Sequence, residues 1–184
     1  FGLAENALAW EITDAAQVTE HIITLTNLAP DTKYHYEVST TSAALPSATN
    51  GWFRTAPVGR KPVRIWALGD SGTANQPGYA GVQASVRDAY HAFTGNRSTD
   101  VWLMLGDNAY STGRDKEYQK AVFDMYAWVA ANSPVWPTLG NHDAGSANSA
   151  TQSGVYYDIF TLPTLGQAGG LPSGTEAYYS FDHA

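Results

Sequence analysis

Three short loops hold most of the side chains in this chain that could do chemistry. They are Gly69-Asp70-Ser71-Gly72, Gly106-Asp107-Asn108-Ala109-Tyr110 and Gly140-Asn141-His142-Asp143. Asp70, Asp107 and Asn141 follow one another at intervals of 37 and 34 residues. Each loop comes directly after a short apolar run. Two carboxylates, an amide and a phenol are hard oxygen donors of the kind that suit hard cations. A phenolate favours a trivalent, iron-like ion over zinc. His142 adjoins the Asn141 donor and is a candidate general acid. Asp143 is a candidate to orient that imidazole. Taken singly, a Gly-Asp after a strand is most often a turn or a helix cap. Three such turns at three successive strand ends, with this composition, are better explained by a shared site.

The elements needed to position these loops are legible. Val63-Arg64-Ile65-Trp66-Ala67-Leu68 reads as a buried strand running into the first loop, and Val101-Trp102-Leu103-Met104-Leu105 as a second. Val135-Trp136-Pro137-Thr138-Leu139 leads into the third, where Pro137 argues against a central strand or for a bend. Between them, Val82, Val86, Ala89, Tyr90 and Phe93 recur at helical spacing. So do Tyr118, Val122, Met125, Tyr126 and Val129, closed by Asn132-Ser133-Pro134. Strand, helix, strand, helix, strand is the alternation of parallel α/β layers. In open sheets of that kind ligands gather beyond the carboxyl ends of the strands, where all three loops lie.

Residues 1–57 have a different rhythm. His21-Ile22-Ile23-Thr24-Leu25, Lys33-Tyr34-His35-Tyr36-Glu37-Val38 and Trp52-Phe53-Arg54-Thr55 are β-rich. The pattern Leu28-x-Pro30-x-Thr32-x-Tyr34-x-Tyr36-x-Val38 resembles the corner of a fibronectin type III sandwich, where a tyrosine hydroxyl ties back to the turn. An ordinary antiparallel hairpin is the alternative. The stretch from Ala56 to Pro62, with two prolines and a glycine, reads as a linker centred on residues 58–62. Residues 144–174 read as a long surface excursion with one apolar patch, Val155 to Phe160. Ala177-Tyr178-Tyr179-Ser180-Phe181 reads as the start of another strand. No internal repeats occur.

Bulk composition narrows the function classes. Charged residues are 15% of the chain, below the roughly 25% usual for soluble domains. Net charge is −7 and the basic residues are scattered, so no electrostatic footprint for nucleic acid is present. There is no cysteine, which removes disulfides, thiolate catalysis and thiolate metal sites. No apolar run approaches the length of a membrane span. No signal-peptide pattern is visible at the first residues. Asn96-Arg97-Ser98 matches a glycosylation sequon by letters.

The ordered set GD-x-G, GD-x-x-Y and GNH-D resembles the metallophosphoesterase (calcineurin-like) superfamily. Tyr110 and the fibronectin-like first part make it similar to the purple acid phosphatase branch, although many members of that branch have Glu at the place of Asp143. The resemblance implies a β-sandwich flanked by helices (αββα), of which residues 63–184 would be the first half. Residues 1–57 would be the later part of a fibronectin III-like domain. It implies that Asp70 binds a first metal, that Asp107 bridges two, that Tyr110 binds the first as Fe(III), and that Asn141 binds a divalent Zn, Fe or Mn. It gives His142 contact with the substrate phosphate and protonation of the leaving group. The implied activity is hydrolysis of small phosphomonoesters by a metal-bound hydroxide. A phosphodiesterase or nucleotidase on the same scaffold is the alternative, as is a non-catalytic fibronectin-containing surface-binding protein. The resemblance also implies a secreted or periplasmic location.

The later V-x-x-H and G-H-x-H motifs of that superfamily are absent. The five histidines are His21, His35, His91, His142 and His183. Val18-Thr19-Glu20-His21 matches the first motif by letters only, upstream of every other motif. The expectation is therefore a chain cut at both ends, inactive or nearly so by itself.

Overall fold

In a computed structural model, which describes residues 1–40, 51–95 and 97–183, three short parallel strands lie side by side in chain order. They are β3 (Ile65–Leu68), β4 (Val101–Met104) and β5 (Val135–Pro137). Trp66 pairs with Trp102, Leu68 with Met104, and Met104 with Pro137. Side chains alternate across a strand, so Trp66, Leu68, Trp102 and Met104 share one face. That face is the core. Trp102 and Met104 are fully buried and Trp66 nearly so. The Tyr126 ring stands edge-on to both indoles, at 5.5 Å from Trp66 and 5.2 Å from Trp102. Burying each large aromatic contributes about 2–3 kcal/mol by area, plus about 1 kcal/mol for edge-to-face geometry. Pro137 sits on β5, an edge strand of this sheet, where its missing N–H costs no ladder bond.

Helix α1 (Ala80–Thr94) joins β3 to β4, but not with the expected face inward. Val82, Val86 and Phe93 are 57%, 49% and 74% exposed, while Gln83 and Thr94 are buried. The rotation is set by polar and aromatic anchors. Gln83 Nε2 donates to Ala121 O at 2.7 Å, Arg87 donates to Met125 O at 3.1 Å, and the Tyr90 ring stacks on Trp66 at 3.9 Å. The line 83, 87, 90, 94 has the same helical period as the apolar line one residue earlier, so spacing alone does not choose between them.

The second helical stretch is broken into three. It runs as α2 (Asp115–Tyr118), a π-helical turn (Gln119–Asp124) and α3 (Ala127–Ala130). A π turn inserts extra backbone per turn. Tyr118, Val122, Tyr126 and Val129 are nonetheless all buried.

Ahead of the sheet, β1 (Lys33–Tyr36) and β2 (Gly51–Arg54) form an antiparallel hairpin. Gly2 and His35 exchange backbone hydrogen bonds beside β1. The Tyr34 hydroxyl accepts from Ala29 N at 2.9 Å, tying the strand to its preceding turn. His21 to Leu25 does not form the expected strand. Ile22 and Ile23 are exposed, and no strand among the described residues pairs with this segment to satisfy its backbone. The hairpin grips the following unit at two points. Tyr36 Oη donates to Ala131 O at 2.8 Å, and Trp52 N donates to Asn132 Oδ1 at 2.9 Å.

The excursion after the third loop contains a small hairpin, β6 (Ala147–Asn148) and β7 (Ser153–Gly154), then α4 (Val155–Ile159). The Val155–Phe160 patch is thus mostly helix, with Tyr156 Oη donating to Pro137 O at 3.0 Å. Residues 177–181 make no ladder. Side chains anchor them instead. Tyr179 Oη donates to Pro137 O at 2.7 Å, and Phe181 stacks on Trp136 at 3.9 Å. On the sheet face away from the core, Ile65 and Leu105 stay exposed. Asn96, the acceptor of the sequon, lies outside the described residues. Among the described residues no helix is long and apolar enough to cross a membrane.

Candidate functional site

Each parallel strand ends in one of the three glycine loops, and backbone hydrogen bonds lock the loops together. Asp70 N donates to Gly106 O at 3.1 Å, Gly72 N to Asp107 O at 3.1 Å, and Tyr110 N to Gly72 O at 2.9 Å. His142 N donates to Asp107 Oδ1 at 2.9 Å. The approach is close enough to require glycine at two points. A Cβ on Gly72 would lie 2.1 Å from Asn108 O, and one on Gly140 would lie 2.1 Å from Asp107 N. Asp70 and Asp107 both adopt left-handed backbone, each with φ near 53°. Such a conformation costs a non-glycine residue about 1–2 kcal/mol, and residues held in it cluster at working sites.

The consequence is a convergence of oxygen atoms. The Tyr110 hydroxyl lies 3.1 Å from Asp70 Oδ1 and 3.0 Å from Asp107 Oδ2. One phenolic proton stands between two carboxylates and serves either. Burial, then the hydrogen bonds to Asp107 and Asp70, push this phenol well above its usual range. Asn141 is exposed and sits between Gly140 and His142, both of which touch Asp107. The His142 ring lies over Tyr110 with centroids 4.3 Å apart. Its Nδ1 is 2.7 Å from Ser111 O.

Asp143 departs from its expected role. It does not touch the imidazole. It is fully buried, and its two oxygens are taken by Asn108 N at 3.2 and 3.1 Å, Asn108 Nδ2 at 3.1 Å, Gly140 N at 2.8 Å and the Tyr118 hydroxyl. Asp143 therefore fastens the second loop to the third from beneath. Burial, then the neighbouring Asp143 charge and hydrogen bond, push the Tyr118 phenol far up. Asn108 also donates to Thr138 O at 2.9 Å.

Sequence reasoning missed Asn108 and Tyr118 as partners of Asp143, and also Glu117, whose carboxylate gathers the loop after Tyr110. An acidic residue at the third position of a helix is the one signal that pointed to Glu117.

The donor set suits a hard cation in part. Two carboxylate oxygens and a phenolic oxygen meet within hydrogen-bond distance, with an amide alongside. Among the described residues no three His, Cys, Asp or Glu side chains are arranged so that they alone could hold a metal ion. The locus thus offers fewer donors than the full shells of two ions need.

Comparison with known proteins bears directly on this arrangement. Two proteins of Mycobacterium tuberculosis, one from each of two strains and both named only as uncharacterized, are 29% identical to it over 169 residues. The match takes in 85% of this chain and 30% of theirs, so the chain spans about a third of the length of the curated relatives it matches. No solved structure matches. The profile of the calcineurin-like phosphoesterases matches residues 63–183, from the first parallel strand through all three loops. On that match, with Asp70, Asp107 and Tyr110 drawn to one point, the chain belongs to the calcineurin-like phosphoesterase family.

Proposed function

We propose that the chain carries part of the catalytic centre of a metal-dependent phosphomonoesterase of the purple acid phosphatase kind. The observation that supports this most is the Tyr110 hydroxyl set between Asp70 and Asp107. A phenol beside two carboxylates is the donor combination suited to a trivalent cation such as Fe(III). Asp70, Asp107 and Tyr110 would hold that cation, with Asp107 and Asn141 facing a divalent partner such as Zn, Fe or Mn. When bound, such a pair activates water and neutralises charge on a phosphoryl group.

The chain's own residues supply the rest. Binding a cation at Tyr110 requires its proton to leave, so the raised phenol makes uptake of the ion proton-linked. His142 carries hydrogen at Nδ1 toward the Ser111 carbonyl, which leaves Nε2 to meet a phosphate oxygen. To protonate a leaving alkoxide, Nε2 must also carry a proton, so the acid form of the ring is the working one. Asp143 keeps the second and third loops in register and takes no part in proton transfer.

The finer architecture belongs to the same proposal. Residues 63–184 form one layer pair of an αββα sandwich, consistent with the uncovered Ile65 and Leu105. Residues 1–57 belong to a fibronectin III-like unit, consistent with the Tyr34 tie, and residues 58–62 join the two. The substrate is a small phosphate ester, met in a secreted or periplasmic setting.

Equilibrium dialysis of the chain against Fe(III) and Zn(II), with Asp107→Asn and Tyr110→Phe beside it, tests the reading. With shells this incomplete the parent is expected to take up ions only at high ion concentration, where Asp107→Asn should take up less of both and Tyr110→Phe less Fe(III) alone. Equal metal uptake by all three proteins would sink it.

A further inference from the structure

The role given to His142 needs its ring to be held, and the structure shows how. A neutral imidazole carries its proton on either nitrogen, and the partner of one fixes the other. The Ser111 carbonyl is an acceptor only, so Nδ1, 2.7 Å away, is the protonated nitrogen. Ser111 lies in an exposed loop, which by itself would leave the ring loosely tied. Glu117 removes that freedom. Its Oε1 accepts from Ser111 N at 2.9 Å. Its Oε2 accepts from Thr112 N at 3.1 Å and from Arg114 N at 2.9 Å.

A helix cap accounts for the Arg114 bond alone, since a Glu at the third helical position reaches the cap residue's N–H. The bonds to Ser111 and Thr112 lie outside the helix and are made to the two residues directly after Tyr110. Glu117 is itself anchored to the turn that follows the first loop through Asn75 Nδ2, which donates to Glu117 O at 3.1 Å. Desolvation pulls the Glu117 carboxyl up, but the backbone donors of Arg114, Ser111 and Thr112 outweigh it and hold it ionised below its usual range. The Ser111 residue is thus clasped from its N–H side by Glu117 and from its carbonyl side by His142.

We propose that Glu117 is a positioning residue for His142: through the Ser111 backbone it keeps Nδ1–H on the Ser111 carbonyl, and so fixes the ring with Nε2 on its free side, where in the acid form its N–H can donate to a phosphoryl oxygen. The inference rests on the reading of His142 as the group that faces substrate. Glu117 makes no hydrogen bond to Asp70, Asp107, Tyr110 or Asn141, and its effect passes through the Ser111 backbone.

The test uses the full chain, metal-free and labelled with 15N. The His142 ring shifts are read at one pH where imidazole is neutral, in the parent protein, Glu117→Gln and Glu117→Asp, with thermal unfolding followed in parallel. The parent ring is expected to be mainly Nδ1-H. Glu117→Gln turns an amide group toward backbone donors, and the Nδ1-H to Nε2-H ratio is expected to fall about five-fold, the worth of one ordinary hydrogen bond. Glu117→Asp keeps the charge near the helix start but is one methylene short of Ser111, and a similar fall is expected. It serves as the deciding variant if Glu117→Gln does not fold. A parent ring that is mainly Nε2-H overturns the proposal. So does an unchanged ratio in a folded variant that merely melts earlier, since that outcome makes Glu117 a helix cap. Neither readout needs metal or turnover, so this proposal and the hydrolase reading fail separately.

Discussion

Asp143→Asn is the sharpest perturbation of the loop architecture. The carboxylate is fully buried and receives Asn108 N on both oxygens, Asn108 Nδ2 and Gly140 N on Oδ2, and the Tyr118 hydroxyl on Oδ1. An amide of the same size has one oxygen fewer. With its NH2 at the Oδ2 position it would confront three donors. With its NH2 at Oδ1 it would meet Tyr118, whose hydroxyl can rotate and accept. The second placement is the less costly. Three bonds then survive, each falling from charge-assisted to neutral strength, a loss of about 1 kcal/mol apiece. Relief of the buried charge offsets part of this. We expect a net destabilisation of about 2 kcal/mol. Urea unfolding followed by the fluorescence of the buried Trp66 and Trp102 would measure it. Tyr118→Phe should cost about 1.5–3 kcal/mol by removing one donor to a charged acceptor. The double variant should fall well short of the sum, since the two share one network. Additive costs, or an Asp143→Asn protein as stable as its parent, would refute the clamp.

Two further outcomes follow from the geometry. Gly140→Ala would push a methyl to within 2.2 Å of Asp107 Oδ1 and closer still to its amide nitrogen. We expect a loss of about 1–3 kcal/mol, together with weaker ion retention in the dialysis assay. Gly81→Ala, in the helix with open space around it, should instead stabilise by about 0.5–1 kcal/mol. The Glu117 carboxyl has a lowered value in the folded chain. Its contribution is therefore present above the ordinary carboxylate range, near 4.3, and is lost as pH falls through the folded value. The stability gap between parent and Glu117→Gln at neutral pH should close as the pH is lowered below the ordinary carboxylate range, as denaturant titrations at a series of pH values would show.

Much of the site was legible because its signals are local. A glycine where backbones meet and an Asp able to adopt left-handed backbone announce themselves by letter and spacing. Strand and helix order followed from apolar periodicity. Two features were out of reach for physical reasons. The rotation of α1 depends on Gln83, Arg87 and Tyr90 finding partners some forty residues away or on a neighbouring strand, and periodicity carries phase only where one face is apolar and the other is not. Likewise the destination of Asp143 depends on Tyr118 and Asn108, which are distant in sequence. Adjacency to His142 suggested a pairing, but the two side chains take other partners, Asp143 below the loops and His142 at Ser111. The β-rich look of His21 to Leu25 and of Ala177 to Phe181 reflects residue preference alone, and a strand also requires a neighbour to complete its ladder.

The hairpin of β1 and β2 acts as a splint on the run-up to the third loop. Its bonds to Ala131 and Asn132 fall just upstream of β5, and Asn132 also turns its amide nitrogen back to Trp128 O at 2.7 Å. Excising residues 63–183 for separate study would strip that brace from the very segment that delivers Asn141 and His142. Those two side chains would then inherit whatever slack the severed turn acquires, in a piece whose outline still looked whole.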